Sequence, residues 1–186
     1  MFRIFGPPGT GKTTKLLNLV DKHLEAGVEP TNIAFLAFTR KAAEEARERA
    51  AARFNLDPKQ DLFFFKTLHS LALAMTDIRT DQVMQPEHYR ELGKSIGVNL
   101  GAAADNRFSD IPETQKSSDP ILGLINLAIL RKVPLRTQYN ISQIDESWNV
   151  VKYVDEALTK YKKSYTLYDF TDMLRVFAET GQSCCP

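Results

Sequence analysis

Cysteine is nearly missing from this chain: Cys184 and Cys185 are the two among 186 residues, and they are adjacent. Neighbouring cysteines make a poor disulfide, and no His or Cys cluster joins them as metal ligands, so a disulfide scaffold and a thiolate metal centre are both set aside. An excess of one charge is also missing, since 24 Lys and Arg face 23 Asp and Glu for a net +1. That balance neither demands nor excludes a nucleic-acid partner, but a binder built on it must gather its cations in one groove. No apolar run reaches the length of a membrane span, and no signal peptide precedes the first apolar segment. The sequence therefore reads as a soluble, cytoplasmic protein without a membrane partner. With 43% apolar residues it can bury a core, and its length suits one domain or a domain plus an insertion.

What is present begins at the first residues. Met1–Phe5 (MFRIF) is a short apolar strand, and it runs into Gly6-Pro7-Pro8-Gly9-Thr10-Gly11-Lys12-Thr13-Thr14 and then a helical pattern. The spacing is that of a phosphate-binding loop. Gly9 and Gly11 let the backbone curl so that several N–H groups face one anion, and the following helix N-terminus adds partial positive charge. Lys12 supplies a full charge for the β- and γ-phosphates, and Thr13 offers a hydroxyl to Mg²⁺. The loop marks a nucleoside-triphosphate site served by Mg²⁺. Its lining is Gly6, Pro8, Gly9, Thr10, Gly11, Lys12, Thr13 and Thr14, and Lys12 and Thr13 are its catalytic candidates.

The first third alternates strand and helix. A helix over about Lys12–Glu25 stops at Gly27, Asn32–Thr39 reads as a strand covered on both faces, and Arg40–Phe54 reads as a helix. Asp61–Lys66 is a third strand, after which Thr67 caps a helix running through Met75. This rhythm implies a parallel α/β sheet with right-handed crossovers. After Thr76 the pattern turns helical: Pro86–Ile96, Pro120–Lys132 and Ile144–Lys162, with a polar loop over Asn99–Asp119. Thr166 and Asp169 have capping-box spacing ahead of a last helix, Asp169–Glu179, closed by Gly181. The expected organisation is a nucleotide-binding core over 1–75, a helical insertion over 76–164, and a return to the core over 165–186.

Two strand ends carry further chemistry. Phe38-Thr39-Arg40-Lys41 places an aromatic, a hydroxyl and two cations where ligands of open α/β sheets bind. Thr67-Leu68-His69-Ser70 repeats the arrangement one strand on, and Tyr168-Asp169-Phe170-Thr171-Asp172 opens the last helix. Each alone also fits an ordinary strand–helix junction with solvated charges. Taken in order, the four pieces resemble the UvrD/Rep-like branch of superfamily 1 DNA helicases. GPPGTGKTT looks like helicase motif I, and AFTRKAAEEARER is similar to motif Ia, with Arg40 where Asn is usual. TLHSLA looks like the TFHSL motif, with Leu68 for Phe, and YDFTDML resembles the segment after the family's helical 1B insertion.

The resemblance implies a RecA-like P-loop NTPase fold, α/β with a helical insertion and incomplete. It also implies ATP hydrolysis coupled to 3′–5′ translocation on single-stranded DNA or at a single-strand/duplex junction, in repair or replication. By the same resemblance Phe38, Thr39, Arg40, Thr67, His69 and Phe170 fall on DNA-contacting positions. The family's next element, an apolar strand ending in Asp-Glu, is not found. Asp145-Glu146 and Asp155-Glu156 both sit in helix-patterned sequence and read as solvated helix faces. A second RecA-like domain and the adenine-reading glutamine motif are missing as well, so the chain alone is expected to bind ATP and remain largely inactive. The alternatives are an AAA+ type ATPase, a small nucleotide kinase, and a catalytically dead fragment that keeps nucleotide or DNA binding.

Overall fold

The computed structural model describes residues 3–7, 9–100 and 119–180. It is a helix-rich mixed fold with a small parallel sheet of two strands. By packing, the chain divides into two compact units, and the division falls between Leu71 and Ala72.

In the first unit, helix α1 (Lys12–Glu25) follows the phosphate-binding loop and stops at Ala26–Gly27. Strand β1 (Phe35–Ala37) leads into α2 (Arg40–Phe54), and β2 (Phe65–Thr67) leads into α3 (Leu68–Ala74), whose first four residues belong to this unit. The strands run parallel, with Phe35 opposite Phe65 and Ala37 opposite Thr67. Thr39 starts α2 by accepting the Ala42 N–H on its hydroxyl, and Asn55 ends it in the left-handed region at φ 54°, where a short polar side chain is tolerated. The core forms around the rings of Phe35 and Phe65, stacked 5.3 Å apart. Leu17 and Val20 of α1 and Ala46 and Ala50 of α2 pack there with Leu62. Small alanines at that spacing let α2 lie close to the sheet. Arg53 ties the helices by donating to Asn18 and Asp21 of α1, both at 2.7 Å.

Three expectations for this unit are corrected. Arg3–Phe5 form no strand and Phe5 is 86% exposed; an apolar run becomes a strand only where it finds an edge to pair with. Met1 and Phe2 lie outside the described residues. The second strand is shorter than Asn32–Thr39, because Pro30–Asn32 form a 3₁₀ turn, and it is covered on one face only, with Leu36 exposed. The third strand starts late. The Asp57 carboxylate accepts the N–H groups of Lys59 and Gln60 and the Asp61 carboxylate accepts that of Asp57, which holds 57–61 in turns.

The second unit has a helical framework: α4 (Pro86–Ile96), α5 (Pro120–Arg131), α6 (Leu135–Ile141), α7 (Trp148–Tyr165) and α8 (Phe170–Thr180). Val151, Val154 and Leu158 form the inner stripe of α7 and meet Leu92 of α4 and Leu122 and Ile125 of α5. The helix expected over Ile144–Lys162 is α7, which starts and ends later, and a short helix that was not expected, α6, precedes it. Pro134 sets the start of α6, and α7 begins only at Trp148, with the Ser147 carbonyl accepting the Val150 and Val151 N–H groups. The last helix is capped differently from the expected Thr166–Asp169 pair. Thr166 closes α7 at φ 52°, while Asp169 and Asp172 cap each other's backbone N–H at 2.8 and 3.2 Å. An isolated parallel bridge joins Val83 to Tyr168, so the described residues after Ser164 pack within this unit. Most of the expected Asn99–Asp119 loop, the Gly181 stop and both cysteines lie outside the described residues.

Candidate nucleotide and nucleic-acid site

The loop before α1 turns on glycines. Gly9 and Gly11 sit in the left-handed region at φ 82° and 74°, where an L side chain is strained. A Cβ at either would meet no described atom within 4 Å, so in the free loop the demand for glycine comes from the backbone angle. Gly6 differs, since a Cβ there would lie 2.6 Å from Thr10 Oγ1. Thr10 Oγ1 donates to the Pro7 carbonyl at 2.8 Å and so braces the turn from inside. Pro8 lies outside the described residues.

Gly11 is the N-cap of α1 without a side-chain cap, which leaves the first backbone N–H groups of the helix for an external acceptor. Lys12 is the first helical residue. Its ammonium folds back onto the carbonyls of Gly6 and Pro7 at 2.7 and 2.6 Å, which keeps a full positive charge at the mouth of the loop. Thr13 and Thr14 follow in the first turn. The donor set therefore fits a polyphosphate with its magnesium: backbone amides, one ammonium and a threonine hydroxyl, around a turn that only glycine adopts without strain.

The parallel register of β1 and β2 carries the other candidates. With Ala37 opposite Thr67, the segments Phe38–Thr39 and Leu68–His69 leave the sheet at the same end. Phe38 is 92% exposed, an unusual position for a phenylalanine. Thr39 spends its hydroxyl as the α2 cap, and Arg40 is exposed at the first helical position. Thr67 is only 2% exposed; its hydroxyl donates to Ser70 Oγ and accepts the Ser70 N–H, so it shapes the turn and has no open face. His69 is half-buried and engaged with its surroundings. Phe170 belongs to the second unit, where it packs with Ile78, Val83 and Met173.

Three features escape the sequence patterns. Lys66, one residue before Thr67, lays its ammonium 3.5 Å from the centre of the Phe63 ring. Burial, and then the nearby Arg47 charge, lower its pKa. The lone cation at the end of the Phe-rich DLFFFK segment is its one sequence signal. In the second unit Lys162 reaches both Asp169 and Asp172, at 2.8 and 2.6 Å, and Arg175 adds a third contact to Asp172 at 3.1 Å. The Asp145-Glu146 pair also differs from a solvated helix face. Asp145 and Glu146 precede α7 in a bend, and one Glu146 carboxylate oxygen is buried without a hydrogen-bond partner among the described residues. Asp155 is half-buried on α7, while Glu156 pairs with Lys152 at 3.7 Å. Among the described residues no helix is long and apolar enough to cross a membrane, and no cluster of His, Cys, Asp and Glu can hold a metal.

Residues 2–183 match the family model described as UvrD/REP helicase N-terminal domain. No solved structure matches the chain.

Proposed function

The chain belongs to the UvrD/REP helicase N-terminal domain family, and we propose that its loop at residues 6–14 holds the triphosphate of ATP with Mg²⁺ for an intracellular 3′–5′ DNA helicase. The observation that carries this reading is the loop geometry, two left-handed glycines delivering Lys12 to the first position of α1. In it the amides of Gly9 to Thr14 and the Lys12 ammonium would hold the phosphates, and the Thr13 hydroxyl would hold Mg²⁺. Bound ATP would draw Lys12 off the Gly6 and Pro7 carbonyls. When bound there, Mg²⁺ would supply charge neutralisation for the phosphates.

Single-stranded DNA enters at the shared end of β1 and β2. Phe38 offers a face to a base, and Arg40 and Lys41 offer charge to the backbone. His69 lies at the next strand end. Thr67 and Phe170 act through the backbone they fix, since both side chains pack inward. The nucleotide core in this reading is a RecA-like domain over 1–75 and 165–186 with a 1B-like insertion over 76–164. Neither Asp-Glu pair follows a strand, and both lie in the second unit. We therefore assign the 186-residue chain ATP binding with little turnover.

Titration with oligo-dT at increasing salt tests the DNA half. Affinity should fall steeply with salt, and Phe38→Ala should weaken binding by about 1–3 kcal/mol through loss of a stacked base. A Phe38→Ala chain binding as tightly as the parent would remove Phe38 from the site. Robust DNA-stimulated ATP hydrolysis by the 186-residue chain would overturn the assignment of low turnover.

A further inference from the structure

In the first unit, one face of the two-stranded sheet is open. Phe35 and Phe65 turn into the core, so alternation along the strands puts Leu36 and Lys66 on the other face. The parallel register sets those two side by side. Leu36 is 45% exposed, and the Phe63 ring that carries the Lys66 ammonium is 46% exposed. Arg47 of α2 is half-buried, and its like charge acts on Lys66. Neither cation has an acidic partner among the described residues. Glu45 is held by Arg49, and the Asp57 and Asp61 carboxylates accept backbone N–H groups of their own turns. Glu44 and Glu48 are exposed and pair with neither.

Two neighbouring cations repel each other, and the contact with the Phe63 ring offsets only part of what Lys66 loses on burial. Water or a neutral molecule leaves that repulsion in place, whereas an anion between the two turns it into attraction. The charges stand beside a ring and a leucine that are both about half-exposed. A ligand that alternates anionic groups with flat apolar ones meets both features, and a single nucleic-acid strand is built that way. An acidic peptide would meet the charges alone. Phe38, at the proposed DNA entry, lies two residues beyond Leu36 in the chain. We infer that the open sheet face extends the single-strand path, with a phosphodiester held between Lys66 and Arg47 and a base against Phe63 and Leu36. The inference takes its partner from the DNA reading above and adds a contact to it.

Fluorescence anisotropy of a labelled twelve-nucleotide oligo-dT with the full chain, read across salt, tests it. Lys66→Gln and Arg47→Gln should each weaken binding about fivefold at 0.1 M salt and lower the salt slope by about 0.7, the share of one single-strand phosphate contact. Lys66→Arg should restore the slope. Phe63→Leu, which keeps the bulk and removes the ring face, should weaken binding at least about fivefold with the slope unchanged. An oligo-glutamate of the same charge should bind at least about fivefold more weakly than oligo-dT, for want of a stacked base. An unchanged slope in both charge variants, or oligo-glutamate binding as tightly as oligo-dT, would overturn the proposal. Weaker binding in Phe38→Ala with none in Lys66→Gln and Arg47→Gln would remove this contact and keep the entry at Phe38. The reverse pattern would keep this contact and remove Phe38, and a parent chain that does not bind oligo-dT would remove both.

Discussion

Lys12 donates to two neutral carbonyls of its own loop, acceptors that a phosphate outcompetes because hydrogen bonds to charged groups are roughly twice as strong. Removing the ammonium should therefore weaken ATP binding and barely disturb the fold. Lys12→Ala is expected to lower ATP–Mg²⁺ affinity by about 10- to 100-fold, the 1.5–3 kcal/mol of a charged hydrogen bond, with an unchanged unfolding midpoint. Gly11 gives the opposite profile for stability. Forcing a Cβ into φ 74° costs about 1–2 kcal/mol, so Gly11→Ala should shift the urea midpoint downward. Phe38 makes a third case. At 92% exposure its truncation to Ala removes almost no buried surface, so thermal stability should stay level while DNA affinity falls.

Among the elements, the junction of α7 and α8 depends most on one side chain. Lys162 is largely buried, with 13% of its side chain exposed, beside carboxylates at 4% and 7%. Burial pulls its pKa down, but attraction to Asp169 and Asp172 outweighs that and raises it above the ordinary lysine value. A group with a raised folded-state pKa adds stability that is fully present below its unfolded value and is lost as pH rises through the folded one. The chain should therefore lose stability from this cluster above about pH 10.5, the unfolded-state value. Lys162→Met should cost about 3–5 kcal/mol at neutral pH, because it leaves buried carboxylates uncompensated. Chemical denaturation of both chains across pH checks the sign and the size. An unchanged midpoint in Lys162→Met would refute the role given to the cluster.

The same elements show why some structure was legible in the sequence and some was not. Arg40–Phe54 and Pro86–Ile96 match their sequence bounds residue for residue, because helix starts and stops are written locally in caps and prolines. The strands were misjudged at their ends, since pairing depends on a partner far along the chain. Phe5 has no such edge and stays exposed, while turns at 57–61 delay β2. In the candidate site, residue type was enough to place Gly9 and Gly11 at the turns of positive φ. The inward packing of Thr67 and Phe170 was not visible, because burial is decided by neighbours and not by motif.

At the scale of the whole molecule, a +1 chain divides into a glycine-loop unit with a two-stranded sheet and a larger helical unit. Phosphate contacts are assigned to the first. The account rests most heavily on the loop at 6–14, and amide chemical-shift mapping of the full chain during ATP–Mg²⁺ titration tests it most directly. The largest shifts should fall on Gly9 to Thr14 and vanish in Lys12→Ala. Shifts that spare those amides, or that persist unchanged without the Lys12 ammonium, would contradict it.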